Sequence, residues 1–249
     1  MKTAVLVKQV PDMDAVRIDR TSGKPVFSGQ NRVSSYDEHA IEAALRLQEQ
    51  HGGEVIAVTV GPAGAKDALT RALAMGAARG VHVLVADQNA IDTLAVAGLI
   101  ADQLRPLGVD LVLAGQTADD LESGQVGAQV AELLGMPVVS NAVSLTVEDG
   151  RATLRRDVED GYQTVEASLP IVVLASTGLN EPRLPSLKGI MAAKKKPIEQ
   201  VAGAATAARA TWSEPVAPER SAAGIVVQDV PPAEAARQLA AWLREQKLV

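Results

Sequence analysis

Short apolar runs alternate with segments of helical period through the first half of the chain. Residues 3–7, 54–60, 81–85 and 110–114 are Val-, Leu- and Ala-rich runs of strand length. Between them, residues 36–48, 65–75, 91–104 and 125–134 carry apolar positions at helical spacing, as Ala40, Ala43, Ala44 and Leu47 do. Gly61-Pro62 ends one strand, Gly76 is a helix C-cap, Pro106 stops the third helix, and Gly135 with Pro137 closes the fourth. Buried-type strands separated by helices predict an α/β fold: an open parallel sheet with helices on both faces.

After Pro137 the period changes. Residues 143–147, 152–157, 162–167 and 171–175 read as strands joined by short turns at Glu148-Asp149-Gly150 and Asp160-Gly161. Such turns join hairpins, so an antiparallel excursion is expected, with 171–175 returning to the main sheet. Residues 201–210 are Ala-rich and carry little signal, and Pro215, Pro218 and Pro231-Pro232 punctuate a tail. Residues 233–246 form a final amphipathic helix with Leu239, Trp242 and Leu243 on one face. The expected division is a domain over 1–200, with an exposed loop at 175–197, and a C-terminal arm and helix over 201–249. A terminal helix after such an arm docks on this chain or on a partner.

Composition narrows the function classes. Of 249 residues, 47% are hydrophobic and 22% charged, an ordinary globular balance. The net charge of -6 speaks against nonspecific nucleic-acid binding. Cysteine is absent, which removes disulfides, thiolate nucleophiles and Cys-ligated metals together. Met1-Lys2-Thr3 leads straight into a strand, so a cytoplasmic location is expected, and no apolar run nears the roughly 20 residues of a membrane helix. Aromatics are only 2%, so Ala, Val, Leu and Ile must build the core. His39, His51 and His82 are too scattered for a metal site. Asp119-Asp120 has no base or lysine beside it, and Ser123 lacks a nucleophile elbow. The chain is expected to have no catalytic residues of its own.

Two segments carry more. GQTADDLESGQVG, residues 115–127, lies between a strand and a helix. Its glycines let backbone approach a ligand, and the helix start can hold a phosphate at Gly124, Gln125 and Val126. A tight turn with an acidic N-cap explains the same residues, and Asp119, Asp120 and Glu122 oppose a phosphate unless they point away or cap the helix. The second segment is GLNEPRLPSLKGIMAAKKKPIE, residues 178–199. Leu184, Pro185, Leu187, Ile190 and Met191 are apolar, yet Pro182 and Pro185 argue against a regular helix or central strand. Lys188-Gly189 reads as a turn, and Lys194, Lys195 and Lys196 end the segment. This is either a docking surface for a protein with negative charge or a linker with a solvated lysine run.

These two segments, with LVKQVPD, SSYDEHAIEAALRL and ALAMGAARGVHV in the same order, resemble the electron transfer flavoprotein beta subunit over roughly residues 1–200. The resemblance implies an adenine nucleotide alpha hydrolase-like fold with AMP held in this subunit. The implied contacts are Leu6, Ser34, Ser35, Tyr36, Asp37, Val60, Gly115, Gln116, Thr117, Ala118, Asp119, Asp120, Ser123, Gly124, Gln125 and Val126. Where the family commonly has Asn-Pro before the aromatic, this chain has Ser34-Ser35. Also implied are an alpha subunit that holds most of an FAD, and a recognition loop anchored by Leu187. In it Leu184, Ile190 and Met191 give support, and Lys194, Lys195 and Lys196 steer encounter. The implied partners are acyl-CoA and related dehydrogenases and the electron transfer flavoprotein-quinone oxidoreductase, with this chain not embedded in the membrane. Two other readings stand beside it: an electron-bifurcating member with a second FAD in place of AMP, and a stand-alone adenine-nucleotide-binding stress-type protein.

Overall fold

The computed structural model describes residues 1–87, 90–204, 208–217 and 226–249. Residues 205–207 of the Ala-rich stretch and Pro218 lie outside them. The chain opens with β1 (Lys2–Leu6). Two small antiparallel ribbons follow, which the sequence pattern did not announce: β2 (Gln9–Val10) with β5 (Arg32–Val33), and β3 (Val16–Ile18) with β4 (Pro25–Phe27). Then come α1 (Ser35–His51), β6 (Glu54–Gly61), α2 (Lys66–Met75), β7 (Arg79–Leu84), α3 (Thr93–Leu104), β8 (Leu111–Gly115) and α4 (Val126–Leu134). The second half holds β9 (Val138–Glu148), β10 (Arg151–Val158), β11 (Gly161–Ser168), β12 (Ile171–Ala175), α5 (Leu187–Ala193), β13 (Ile198–Ala202) and α6 (Pro232–Glu245).

One sheet runs β11-β10-β9-β12-β8-β1-β6-β7-β13. From β9 through β12 to β13 every pairing is parallel, and β10 and β11 extend it antiparallel. The expected open parallel sheet and its excursion are both present. Asp149 and Gly150, at φ +47° and +74°, make the tight turn between β9 and β10. Strand residues alternate between two cores. Val5, Val55, Ala57, Leu111, Leu113 and Val173 face α1 and α2. Ala4, Leu6, Ile56, Val58, Val112 and Leu174 face α3 and α4. Small residues let these layers close up: a Cβ on Gly127 of α4 would overlap the Leu174 side chain.

Two compact units are distinguished, Met1–Pro215 and Val216–Val249. The sequence-based division at residue 200 falls inside β13, an edge strand parallel to β7. In the second unit, α6 buries none of its residues.

The expectation of a turn at Lys188-Gly189 is corrected. These residues lie in α5, which starts after the prolines and is capped by Ser186, whose Oγ accepts from the Gly189 N–H at 3.0 Å. Glycine stands there because α5 packs on α2: a Cβ at 189 would overlap the Ala74 carbonyl oxygen. Alanine normally gains about 1 kcal/mol over glycine in a helix. Here the overlap outweighs that gain, and Gly189→Ala is expected to destabilise the fold by about 1–3 kcal/mol in denaturant unfolding. A stabilised variant would mean that α5 is not held against α2.

Candidate functional site

The C-terminal ends of β1, β6 and β8 open into a cleft with about 980 Å³ of empty space, its mouth included. Strand order reverses here. From β1 the chain builds outward through β6 and β7, then α3 returns it to β8 on the other side of β1. Such a switch point leaves a crevice that neighbouring crossovers do not fill, where open α/β sheets bind ligands.

Of the residues named from sequence, Leu6, Asp37, Val60, Gly115, Gln116, Thr117, Ala118, Ser123, Gly124, Gln125 and Val126 line this cleft. Ser34, Ser35, Tyr36, Asp119 and Asp120 do not line it; the serines and aspartates bind one another and their neighbours. Asp119 accepts from the Ser35 N–H at 2.8 Å and the Ser35 hydroxyl at 2.7 Å, so it caps α1 from a distant loop. The Ser34 hydroxyl accepts from the Asp119 N–H at 3.3 Å. Asp120 pairs with Lys8 at 2.7 Å. Two of the three acids that opposed a phosphate are thus engaged elsewhere.

The start of α4 is left open. Gln125 stands at its N-cap without a side-chain capping bond, after Glu122 at φ +47° and Gly124 at φ +61°. Among the described residues, nothing accepts from the amides of Val126, Gly127 and Ala128, and the buried Thr117 hydroxyl in the cleft has no partner. Free amides plus a hydroxyl at a positive helix end form an anion site. Sequence reasoning missed several lining residues, including Lys8, Ile91, Asp92, Thr93 and Trp212. Thr93 donates to Gln125 at 2.7 Å and accepts from Gln129 at 3.2 Å, joining the starts of α3 and α4.

Asp37 holds the cleft floor. Its carboxylate accepts from the Lys8 N–H at 2.8 Å and the Gly115 N–H at 2.9 Å, tying the ends of β1 and β8 together. Burial pushes its carboxyl up to about 7, against the pull of those two amides and the Lys8 charge. Gly115 has no room for a side chain, since a Cβ would come within 2.6 Å of that carboxylate.

The second feature is the segment after β12. Leu184, Leu187, Ile190 and Met191 are 82%, 76%, 46% and 65% exposed. Their base is clamped onto α1. Arg183 Nε donates to Glu42 at 2.7 Å and its guanidinium also binds Glu49, while Arg46 donates to Glu42 and to the Glu181 carbonyl. Asn180 donates to the His39 carbonyl at 2.9 Å. Glu42 is only 2% exposed. Burial pushes its carboxyl up, but hydrogen bonds from Arg183 and Arg46 outweigh this and hold it below the usual range. Lys194 and Lys195 are exposed. Lys196 is not a free surface charge: its Nζ donates to the Leu73 and Ala77 carbonyls at 2.9 and 2.6 Å, closing the C-terminal end of α2.

Among the described residues no His, Asp and Glu cluster could hold a metal ion, and no helix is long and apolar enough to cross a membrane. His82 is buried, with Nε2 3.1 Å from the Gly61 carbonyl.

Two outcomes follow from these carboxylates. Arg183→Met strands Glu42 with Arg46 alone and is expected to cost about 3 kcal/mol; adding Glu42→Leu should restore much of it in urea unfolding. No recovery in the double variant would mean that Arg183 acts through something other than this pair. For Asp37 the folded form keeps its proton to higher pH than the unfolded chain. Its contribution is therefore complete below about pH 4 and lost as the pH rises through 7. The stability gap between wild type and Asp37→Asn should be widest near pH 4 and narrow toward pH 8; a constant gap sinks this assignment.

The family model for the electron transfer flavoprotein domain matches residues 26–206. The electron transfer flavoprotein subunit beta of Syntrophomonas wolfei is 40% identical over 246 residues, 98% of this chain and 96% of that protein. That of Bacillus subtilis is 35% identical with both chains fully covered. The caffeyl-CoA reductase-Etf complex subunit CarD of Acetobacterium woodii is 38% identical over 201 residues, 80% of this chain and 77% of that one. With matches spanning essentially its full length, the chain belongs to the electron transfer flavoprotein family, on the beta-subunit side.

Proposed function

We propose that this chain pairs with an alpha subunit, binds AMP in the cleft, and walls one side of an FAD held mainly by that partner. The complex carries electrons from acyl-CoA and related dehydrogenases to a membrane quinone oxidoreductase. The observation that carries this reading is the pairing, in one unit, of an anion-ready cleft with a clamped, exposed apolar segment. Electron carriage needs a bound redox group, and the flavin supplies it. AMP then acts as a structural ligand that stabilises the fold because only the folded chain binds it. Its phosphate sits at the amides of Val126 to Ala128, with Thr117 as a further donor. The C-terminal arm and α6, whose Leu239 is 52% exposed, contact the alpha subunit.

Leu187 is the anchor of the dehydrogenase contact, supported by Leu184, Ile190 and Met191. Lys194 and Lys195 steer the encounter, and Lys196 holds α5 on α2. A second reading, FAD in place of AMP in an electron-bifurcating complex, draws support from the similarity to CarD, a subunit of a reductase-Etf complex.

Co-expression with the cognate alpha subunit, acid release and chromatography of the nucleotides separate these readings. One AMP and one FAD per heterodimer is expected; two FAD favours the bifurcating reading, and FAD alone removes the cleft assignment. A buried Leu contributes about 1.5–3 kcal/mol. Leu187→Ala should therefore lower kcat/KM with the acyl-CoA dehydrogenase by roughly tenfold to a hundredfold at unchanged FAD content. Unchanged turnover would remove Leu187 as the anchor. Reversing the charges of Lys194 and Lys195 together should flatten the salt dependence of that rate.

A further inference from the structure

A stretch of the C-terminal arm returns to the cleft. The Asp92 carboxylate caps α3 through the Ala95 N–H at 2.8 Å, and its other oxygen accepts from the Arg209 and Ala210 N–H groups at 2.6 and 3.0 Å. Asp92 is 5% exposed, so this anchor is shielded from water. Further along, Glu214 pairs with Lys24, in the loop between β3 and β4. That pair is open to solvent, with the two side chains 75% and 51% exposed, and it is correspondingly weak. Between the two anchors, Trp212 lines the cleft while remaining 47% exposed.

The chemistry of the lining gives Trp212 a task. Among the described residues it is the only aromatic side chain in the cleft wall, in a chain with two Trp, two Tyr and one Phe. The rest of the non-polar wall is aliphatic, with Val60, Ile91, Val96, Ile100 and Leu121. The free amides at the start of α4 suit a phosphate. A purine base stacks well on a flat π-surface, and in this wall Trp212 is the described side chain that offers one.

We infer that residues 208–214 form a strap across the nucleotide site, and that Trp212 covers the purine base and sets how fast the nucleotide leaves. This rests on the cleft being an adenine nucleotide site. The buried Asp92 end is the fixed one and the Lys24 end the one that lets go, because only the latter depends on an exposed ion pair. Nucleotide exchange therefore speeds up with ionic strength.

The test follows release of labelled AMP from the purified heterodimer into excess unlabelled AMP. Loss of base stacking in Trp212→Ala should accelerate release roughly tenfold to a hundredfold, with Trp212→Phe recovering most of the difference. Lys24→Glu, which repels Glu214, should accelerate release a few-fold at low salt and converge on wild type at high salt. If wild type holds AMP and Trp212→Ala releases it at the wild-type rate, the strap is overturned and the nucleotide site stands. If wild type carries no adenine nucleotide in this subunit, the functional reading fails and the strap fails with it.

Discussion

The Asp37 side chain makes the interaction on which the cleft depends. It sits in the first turn of α1 and receives one amide from just beyond β1 and one from the end of β8. The segments leaving β1 and β8 are thereby tied to one side chain of α1. Gly115 follows from this, since any side chain there would collide with the carboxylate. So does the placement of the glycine-rich loop, because Gly115 begins it and Asp119, near its middle, caps the same helix α1. A buried carboxylate is costly to desolvate, and two amides with Lys8 nearby offset part of that cost.

The segment after β12 obeys the opposite logic, apolar side chains held out in water. Such exposure is unfavourable for an isolated chain and becomes useful only if the side chains enter a partner's pocket. A weak, transient interface gains most when its anchors are already ordered, because ordering them on binding would subtract from affinity. Here the order comes from Arg183 on Glu42 and Glu49 at one end and from Lys196 on the carbonyls of α2 at the other. Between these fixed points, α5 gives Leu187, Ile190 and Met191 a helical display.

Much of the sheet was legible because periodicity and burial coincide: strands buried on both faces read as continuous apolar runs, and Asp149-Gly150 announced its own turn. Where the reading failed, one residue type served a purpose other than its usual one. Gly189 looked like a breaker and is a close-packing position inside α5. Lys196 looked like part of a solvated run and binds carbonyls. β13 carries Glu199 and Gln200, polar residues an edge strand tolerates and a buried-strand pattern misses. Trp212 lay in a stretch with no period at all, so its return to the cleft through Asp92 had no local signal. The glycine-rich loop was a mixed case, since its strand-to-helix position could be foreseen while the lack of an acidic cap on α4 and the partners of its acids could not. Family membership sets aside the stand-alone stress-type reading, which had no use for an exposed apolar segment.

A single helix joins the cleft to the exposed apolar segment. The first turn of α1 supplies Asp37 to the cleft, and its later turns supply His39, Glu42, Arg46 and Glu49 to the base of the exposed apolar segment. With 17 residues, α1 spans about 25 Å, a rigid rod on this scale. Helices fray from their ends, and the N-terminal end of this one is fastened in part by Lys8 and Gly115, which also line the cleft. A ligand bound there would oppose fraying of the turn that carries Asp37. On the proposed reading, a nucleotide in the cleft would need no chemistry of its own to matter for electron transfer. Bound there, it would secure one end of the helix on which Arg183 holds the exposed apolar segment.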